Sequence, residues 1–202
     1  MRKVIAAVFV SLDGVIQAPG GPDEDPTGGF ELGGWTFPYF DDEAGEVMGE
    51  LFSEPFDLLL GRRTYDIFNA YWPVVPNSDT PIGQAFNAAT KYVATRSDDQ
   101  FTWENTVVLR GDAAAHVARL RQEDGPRLLI QGSSVLIQSL QKQGLIDVYR
   151  LLIFPLVLGK GKRVFGEAGK PQELKLEQHK TFSTGVMLAT YTPSGEVRTG
   201  SF

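Results

Sequence analysis

The sequence predicts an α/β fold with a mostly parallel central sheet and antiparallel strands at its C-terminal edge. Apolar, β-branched runs alternate along the chain with helical segments that carry an apolar stripe, which is typical of parallel strands joined by helices. Two late apolar runs lie close together in sequence and predict a closing antiparallel hairpin. The 202 residues, 42% hydrophobic and 22% charged, suit one compact domain over residues 1–202.

The N-terminal third predicts one strand, one long loop and one helix. Residues 3–10 form an apolar run that ends at the turn Asp13-Gly14, so we expect a buried first strand. Residues 17–34 are rich in Gly, Pro and Asp and predict a loop, and a loop of this length in a compact domain is more often functional than idle. Residues 41–52 predict a helix capped by Asp41 or Asp42.

The rest of the chain continues the alternation of strands and helices. Further strands are predicted at residues 56–60, 91–95, 106–109, 127–130, 148–158 (interrupted by Pro155), 174–182 and 186–192. Helices are predicted after Gly61, after Asp112 and from Ser133 to Gly144, the last with an inward face made of Val135, Leu136, Ile137 and Leu140.

Composition excludes several classes of protein. The absence of Cys excludes disulfides, thiol chemistry and Cys-based zinc sites, and the two His residues have no metal-ligand spacing. No apolar run approaches the roughly 20 residues of a membrane-spanning helix. The net charge of -6 argues against a nucleic-acid partner. We therefore expect a cytoplasmic protein that binds a small molecule, without metal, nucleic acid or membrane.

The charge is unevenly distributed. Of the 19 basic and 25 acidic residues, 2 basic and 12 acidic ones precede Arg62. An anionic ligand would therefore find most of its partners in the second part of the chain, although a solvated acidic face explains the same pattern.

Two segments share a strand, a glycine turn and the start of a helix with polar side chains. They are Gly61-Arg62-Arg63-Thr64 and Gly132-Ser133-Ser134. The unpaired N–H groups and positive dipole end of such a helix favour phosphate, and glycine lets the backbone approach it closely. Ordinary helix caps without a ligand remain the alternative at either segment.

A third segment, Thr95-Arg96-Ser97, ends a short predicted strand. A guanidinium beside hydroxyls suits a ribose 2′-phosphate, which Arg grips with two hydrogen bonds, whereas a plain surface Arg is the alternative. Together the three segments outline a dinucleotide of the NADP type. The cationic run 159–163 matches neither phosphate-loop spacing and is interpreted as a polar bend.

These residues carry a resemblance to a known family, and it extends over nearly the whole chain. The matching motifs are Ser11-Leu12-Asp13-Gly14, Gly61-Arg62-Arg63-Thr64-Tyr65, Tyr92-Val93-Ala94-Thr95-Arg96-Ser97, Gly132-Ser133-Ser134, Ile146-Asp147, the run 155–161 and the closing strands at 182–191. The chain resembles the dihydrofolate reductase superfold in the form related to the riboflavin-biosynthesis reductase, the RibD C-terminal domain. The resemblance implies a three-layer fold with helices on both faces of the sheet, and a homodimer.

The resemblance also implies NADPH as the cofactor, bound in extended form. It implies that Gly61, Arg62, Arg63 and Thr64 meet phosphates, that Thr95, Arg96 and Ser97 hold the adenosine end, and that Gly132, Ser133 and Ser134 contact the pyrophosphate. One departure is visible: dihydrofolate reductases carry consecutive glycines where this chain has Gln131-Gly132-Ser133.

On the substrate side, Asp13 is the preferred catalytic and ligand-side carboxylate and Trp35 a stacking surface for the substrate. Hydride transfer to a C=N bond needs a proton at the nitrogen, from a carboxyl group or through water. A turn residue before Gly14 and a core tryptophan are the respective alternatives. Asp41, Asp42 and Glu43 also lie near the place of the family's acidic residue, without a clear match.

The sequence thus predicts an NADPH-dependent reductase that acts on a small heterocycle, such as a pterin or a ribosylaminopyrimidine. The alternative is a non-catalytic nucleotide- or flavin-binding protein on the same fold, because a fold does not fix a function.

Overall fold

The computed structural model describes residues 1–167 and 169–201, and these form one eight-stranded sheet flanked by helices. The strands are β1 (Val4–Ser11), β2 (Phe56–Gly61), β3 (Lys91–Thr95), β4 (Thr106–Arg110), β5 (Arg127–Ile130), β6 (Val148–Phe154), β7 (Glu173–Thr181) and β8 (Met187–Gly195). The α-helices are α1 (Asp42–Ser53), α2 (Arg62–Tyr71), α3 (Pro81–Ala88), α4 (Ala113–Leu120) and α5 (Ser134–Lys142).

The strand order is β4-β3-β2-β5-β1-β6-β8-β7. Strands β1 to β6 pair in parallel, and β8 runs antiparallel to both β6 and β7. The predicted mostly parallel sheet with an antiparallel C-terminal edge is therefore confirmed.

Helices cover both faces of the sheet, as the three-layer prediction required. One apolar cluster packs α1, α2 and α3 against the sheet through buried side chains such as Val47, Tyr65 and Phe86. A second cluster packs α4 and α5 on the opposite face, through Val117 and Ile137 among others. Because side chains alternate along a strand, successive residues of β1 enter the two clusters in turn.

Two local expectations are wrong for clear reasons. Val135 is 78% exposed, because the buried side of α5 is set by Ser134, Ile137 and Gln141 at helical spacing and Val135 lies opposite to it. The predicted strand 148–158 ends at Phe154, since Pro155 has no N–H with which to continue the ladder.

One buried charge lies at the start of β3. The Lys91 side chain is fully buried, and its Nζ donates to the carbonyl oxygens of Asn87 (2.8 Å) and Ala89 (2.9 Å) and lies 4.5 Å from the ring centroid of Trp103. Burial lowers the pKa of Lys91 to about 8, because the charged form is poorly solvated there.

A cleft opens at the carboxyl ends of the central strands. Strand β1 pairs with β5 only through Val4–Ala6, whereas its pairing with β6 continues to Ser11. From β1 the chain continues to β2, toward one edge of the sheet, and from β5 it continues to β6, toward the other edge. The direction in which the chain crosses the sheet therefore reverses between the neighbouring strands β1 and β5. Ligands of open α/β sheets bind in the crevice at such a reversal. Within the described residues, no helix is both long and apolar enough to cross a membrane.

Candidate functional site

The starts of α2 and α5 meet at this cleft. Each helix begins directly after a central strand, and β2 and β5 are neighbours in the sheet. The Oγ1 of Thr64 accepts hydrogen bonds from the backbone N–H (3.1 Å) and the hydroxyl (2.9 Å) of Ser133. The Ser133 hydroxyl oxygen in turn accepts the N–H of Gly61 at 2.9 Å. Two of the predicted phosphate-binding segments are therefore joined.

The same two helices are distinguished by how they begin. In α1, α3 and α4 the capping side chains of Asp41, Thr80 and Asp112 accept hydrogen bonds from N–H groups of the first turn. No such bond is present at the starts of α2 and α5 in the described part of the chain. Their first-turn N–H groups are thus left to solvent or a ligand, and helix starts of this kind bind anions.

The backbone at the start of α5 is in the left-handed region. Gly132 has φ +64° and Ser133 has φ +58°, which is uncommon for a serine. A Cβ on Gly132 would lie 3.4 Å from the Thr64 hydroxyl oxygen, so glycine suits this close approach. Ser133 is held in place by its three hydrogen bonds, and Ser134 is buried. The unusual conformation points the Ser133 hydroxyl across to β2 instead of capping α5.

The Thr95-Arg96-Ser97 segment lies one strand further along the same edge, since β3 is next to β2. The buried Thr95 hydroxyl accepts the N–H of Ser97 at 2.9 Å and fixes the turn. Arg96 is exposed, and no hydrogen bond or ion pair holds its side chain to other residues in 1–167 or 169–201. Its guanidinium is available for a ligand.

The other two predicted arginines are already engaged. Arg62 donates to both carboxylate oxygens of Asp66 (2.8 and 2.9 Å) and to one of Asp99 (2.7 Å), and its hydrogen bond to Asp66 raises the pKa of Arg62. The Arg62 Nη1 also lies 3.4 Å from the Ser97 hydroxyl, and this contact links the start of α2 to the turn that follows β3. Arg63 contacts Asp25 of the long loop at 3.1 Å.

The carboxylate of Asp13 is held by hydrogen bonds within the protein. Its carboxylate accepts hydrogen bonds from the N–H groups of Leu158 (3.0 Å) and Gly159 (2.8 Å) and from the hydroxyl of Ser11 (2.6 Å). Burial opposes ionisation, but these bonds outweigh it and lower the pKa of Asp13 to about 2. A carboxylate that stays ionised at neutral pH cannot donate a proton, so the predicted catalytic role does not fit this geometry, and the alternative of a turn residue does.

Trp35 is a core residue. Only 7% of the residue is exposed within the apolar cluster, and its indole N–H donates to the carbonyl of Gln17 at 2.8 Å. The ring packs edge-on against Phe154. The expected stacking surface for the substrate is therefore not Trp35, because the packing leaves its faces no room.

Partly exposed aromatic rings lie close to Trp35 and were missed in the sequence. Phe9 packs edge-on against Phe40 (6.1 Å between centroids) and Phe154 (5.7 Å), and Tyr39 also packs against Phe154. Phe9 precedes the end of β1, and Phe40 is exposed beside the start of α1. Phe9 sits in a run of apolar residues, so nothing in the sequence separates it from the core.

The acidic start of α1 has structural partners as well. Asp41 caps the helix through the N–H of Ala44 (2.9 Å) and lies 3.3 Å from the Ser183 hydroxyl. Glu43 lies 3.6 Å from the Lys180 Nζ. Asp42 is exposed.

Gln131 stands out in the sequence only as a departure from a run of glycines, and the structure gives it a bridging role. Its side-chain amide donates to the carbonyl of Ala7 at 2.9 Å and so bridges β5 and β1 at the point where their pairing stops. A glutamine before a glycine turn carries no signal of such a bridge, because its partner is far away in the chain.

Comparison with known proteins agrees with this architecture. The profile of the RibD C-terminal domain matches residues 2–188. The uncharacterized protein YwjB of Bacillus subtilis (strain 168) is 29% identical over 187 residues, which cover 93% of this chain and 96% of YwjB.

Two solved structures share the fold. A candidate riboflavin biosynthesis protein from Shewanella sp. PV-4 superposes with a TM-score of 0.65 at 20% identity, over 96% of this chain and 99% of that one. Dihydrofolate reductase from Enterococcus faecalis, in complex with NADP(H), superposes with a TM-score of 0.59 at 18% identity, over 95% and 96% of the two chains. The fold expected from the sequence motifs is thereby confirmed, and the chain belongs to the RibD C-terminal domain family.

Proposed function

We propose that this protein is an NADPH-dependent reductase that transfers hydride to a small heterocycle, of the pterin or ribosylaminopyrimidine type. The observation that carries the proposal is the meeting of two helix starts without side-chain caps, α2 and α5, at the cleft beside β1. Membership of the RibD C-terminal domain family and the fold shared with an NADP(H)-bound dihydrofolate reductase support a reductase in general terms.

The residues at the cleft fit a dinucleotide with one additional phosphate. The N–H groups at the start of α5 and the Thr64 hydroxyl would hold the pyrophosphate, since Thr64 accepts both of its hydrogen bonds from Ser133 and keeps its own proton to donate. Arg96 would hold the ribose 2′-phosphate, because Arg62 is already neutralised by Asp66 and Asp99. NADPH, when bound, supplies the hydride.

On the substrate side, we assign the apolar contact to Phe9 and Phe40 instead of Trp35. Both rings are partly accessible, Phe9 near the end of β1 and Phe40, with 43% of the residue exposed, beside the start of α1. Aromatic faces suit a flat heterocycle. Because Asp13 remains ionised, the proton for the substrate nitrogen would come from water.

A non-catalytic nucleotide- or flavin-binding protein is the second candidate, and two observations favour it. Asp13, the carboxylate that the sequence favours as proton donor, stays ionised because its pKa is lowered, and the Gln131 amide already donates to the Ala7 carbonyl beside the cleft. A protein with this arrangement would bind the nucleotide and leave the hydride in place.

Titration and turnover separate the two candidates. Purified protein is titrated with NADPH, NADH, FMN and FAD by calorimetry, and NADPH oxidation is followed with dihydropterins and ribosylaminopyrimidines as substrates. A reductase binds NADPH more tightly than NADH and consumes it with at least one substrate class. NADPH binding without turnover on either class supports the binding protein, and no binding of either nicotinamide nucleotide refutes the proposal.

A further inference from the structure

A buried carboxylate from the long loop lies between two cations at the mouth of the cleft. The Asp25 side chain is 7% exposed. Its oxygens lie 2.6 Å from the Nζ of Lys162 and 3.1 Å from the Nη2 of Arg63, and it accepts the Thr27 hydroxyl at 2.5 Å. Burial alone would raise the pKa of Asp25, but the Lys162 and Thr27 contacts outweigh it and the pKa is lowered.

The two cations come from opposite sides of the cleft. Arg63 is in the first turn of α2 and follows β2, whereas Lys162 follows β6. In the order β2-β5-β1-β6, these strands flank β5 and β1, between which the cleft opens. Asp25 belongs to the loop after β1, so its two ion pairs carry the loop across the mouth of the cleft.

Other bonds hold this loop in the same position. The Gln17 side chain donates to the carbonyls of Asp25 and Thr27 (2.9 Å each) and accepts the N–H of Lys162 at 3.0 Å. The Lys160 ammonium donates to the carbonyl of Gly29 at 3.0 Å. The cationic run 159–163, interpreted from the sequence as a polar bend, is thus the support of the loop.

The contacts of Asp25 are those that a phosphate oxygen would make. Arg63 and Lys162 stay accessible, with 52% and 41% of their side chains exposed, so an anion from solvent can reach both. Arg63 also adjoins Thr64, whose hydroxyl accepts two hydrogen bonds from Ser133 and keeps its own proton to donate. Asp25 thus neutralises a cation beside a helix start whose first N–H groups have no side-chain cap.

We propose that Arg63 and Lys162 form an anion site for the dinucleotide pyrophosphate, and that Asp25 occupies this site in the ligand-free protein. Binding of the pyrophosphate exchanges one anion for the other and releases Asp25, so the loop position and cofactor binding are coupled. The inference rests on the proposed function for the identity of the ligand and adds Lys162 to the binding residues.

Calorimetric titration with inorganic pyrophosphate and with NADPH tests the site. Asp25→Asn removes the competing charge and keeps the side-chain shape, and we expect both ligands to bind about three- to tenfold more tightly than to the wild type. The matched control is Asp23→Asn, which removes the same charge from an exposed position of the same loop and should bind as the wild type does. Lys162→Ala should weaken the binding of both ligands severalfold.

The outcomes separate this inference from the proposed function. Equal or weaker pyrophosphate binding by Asp25→Asn relative to Asp23→Asn, or unchanged binding by Lys162→Ala, overturns the anion site. If pyrophosphate follows the expected order and NADPH binds to none of the variants, the anion site stands and the reductase proposal fails. Thermal unfolding of each variant shows that the affinities compare folded proteins.

Discussion

The hydroxyl of Thr64 joins the two helix starts, and its removal has a calculable effect. Thr64→Val keeps the shape of the side chain and deletes the acceptor of two hydrogen bonds from Ser133, at 3.1 and 2.9 Å. Each such bond contributes about 0.5–1.5 kcal/mol, and water reaches this partly buried site, so we expect a loss of about 1–2 kcal/mol in the free energy of unfolding. For a domain of this size that lowers Tm by roughly 3–6 °C.

The same substitution should weaken the binding of the cofactor. If the Thr64 proton is donated to a phosphate oxygen, its loss costs about 1.5–3 kcal/mol, or roughly ten- to a hundredfold in the Kd of NADPH. Thr64→Ser keeps the hydroxyl and is the matched control, with affinity near that of the wild type. Urea unfolding monitored by tryptophan fluorescence gives the stability, and calorimetry gives the Kd.

A double-mutant cycle decides whether the two hydroxyls act together. Because Ser133 donates to Thr64, Thr64→Val and Ser133→Ala should be non-additive by about 0.5–1 kcal/mol in unfolding. Additive losses, together with an NADPH affinity that Thr64→Val leaves intact, would refute the assignment of this pair to the cofactor site.

Three further predictions concern charged side chains. Arg96→Ala should weaken the binding of NADPH by about ten- to a hundredfold and that of NADH little. Arg62→Ala should change the ratio of the two affinities much less, and equal losses of affinity for both nucleotides with Arg96→Ala contradict the 2′-phosphate role. The pKa of Lys91 is about 8 in the folded protein and higher in the unfolded chain, so the free energy of unfolding of the wild type should rise by about 2 kcal/mol relative to that of Lys91→Met between pH 7 and 9.5. Urea unfolding measures the difference, and a difference that does not change with pH contradicts this. Because the pKa of Asp13 is lowered in the folded protein, its ionised form stabilises the fold fully above about pH 4 and less as the pH falls toward 2. Asp13→Asn should therefore lower the free energy of unfolding by about 1–3 kcal/mol at pH 7 and by less in acid, and equal unfolding midpoints of the two proteins at pH 7 exclude this role.

The parts of the fold that the sequence predicted correctly depend on local patterns. The start of α2 after Gly61 and the cap of α4 at Asp112 follow from neighbouring residues, and both lie where expected. The helix α3 was overlooked although Thr80 and Pro81 form an ordinary helix start, with the Thr80 hydroxyl accepting the N–H of Gly83.

The parts that failed depend on contacts between distant residues. The bridge from Gln131 to Ala7 and the ion pair of Asp25 with Lys162 join residues more than 100 positions apart, and no local pattern specifies such partners. Trp35 and Asp13 were assigned to the substrate because tryptophan and aspartate suit that chemistry, but the packing around each side chain decides its role. The homodimer and the cytoplasmic location stay predictions.

The position of NADPH in a crystal of its complex with this protein tests the central claim most directly. The account predicts pyrophosphate oxygens within hydrogen-bond distance of the Thr64 hydroxyl and the start of α5, with the 2′-phosphate on Arg96. A cofactor bound on another face of the sheet, or in the cleft with its 2′-phosphate remote from Arg96, would contradict it.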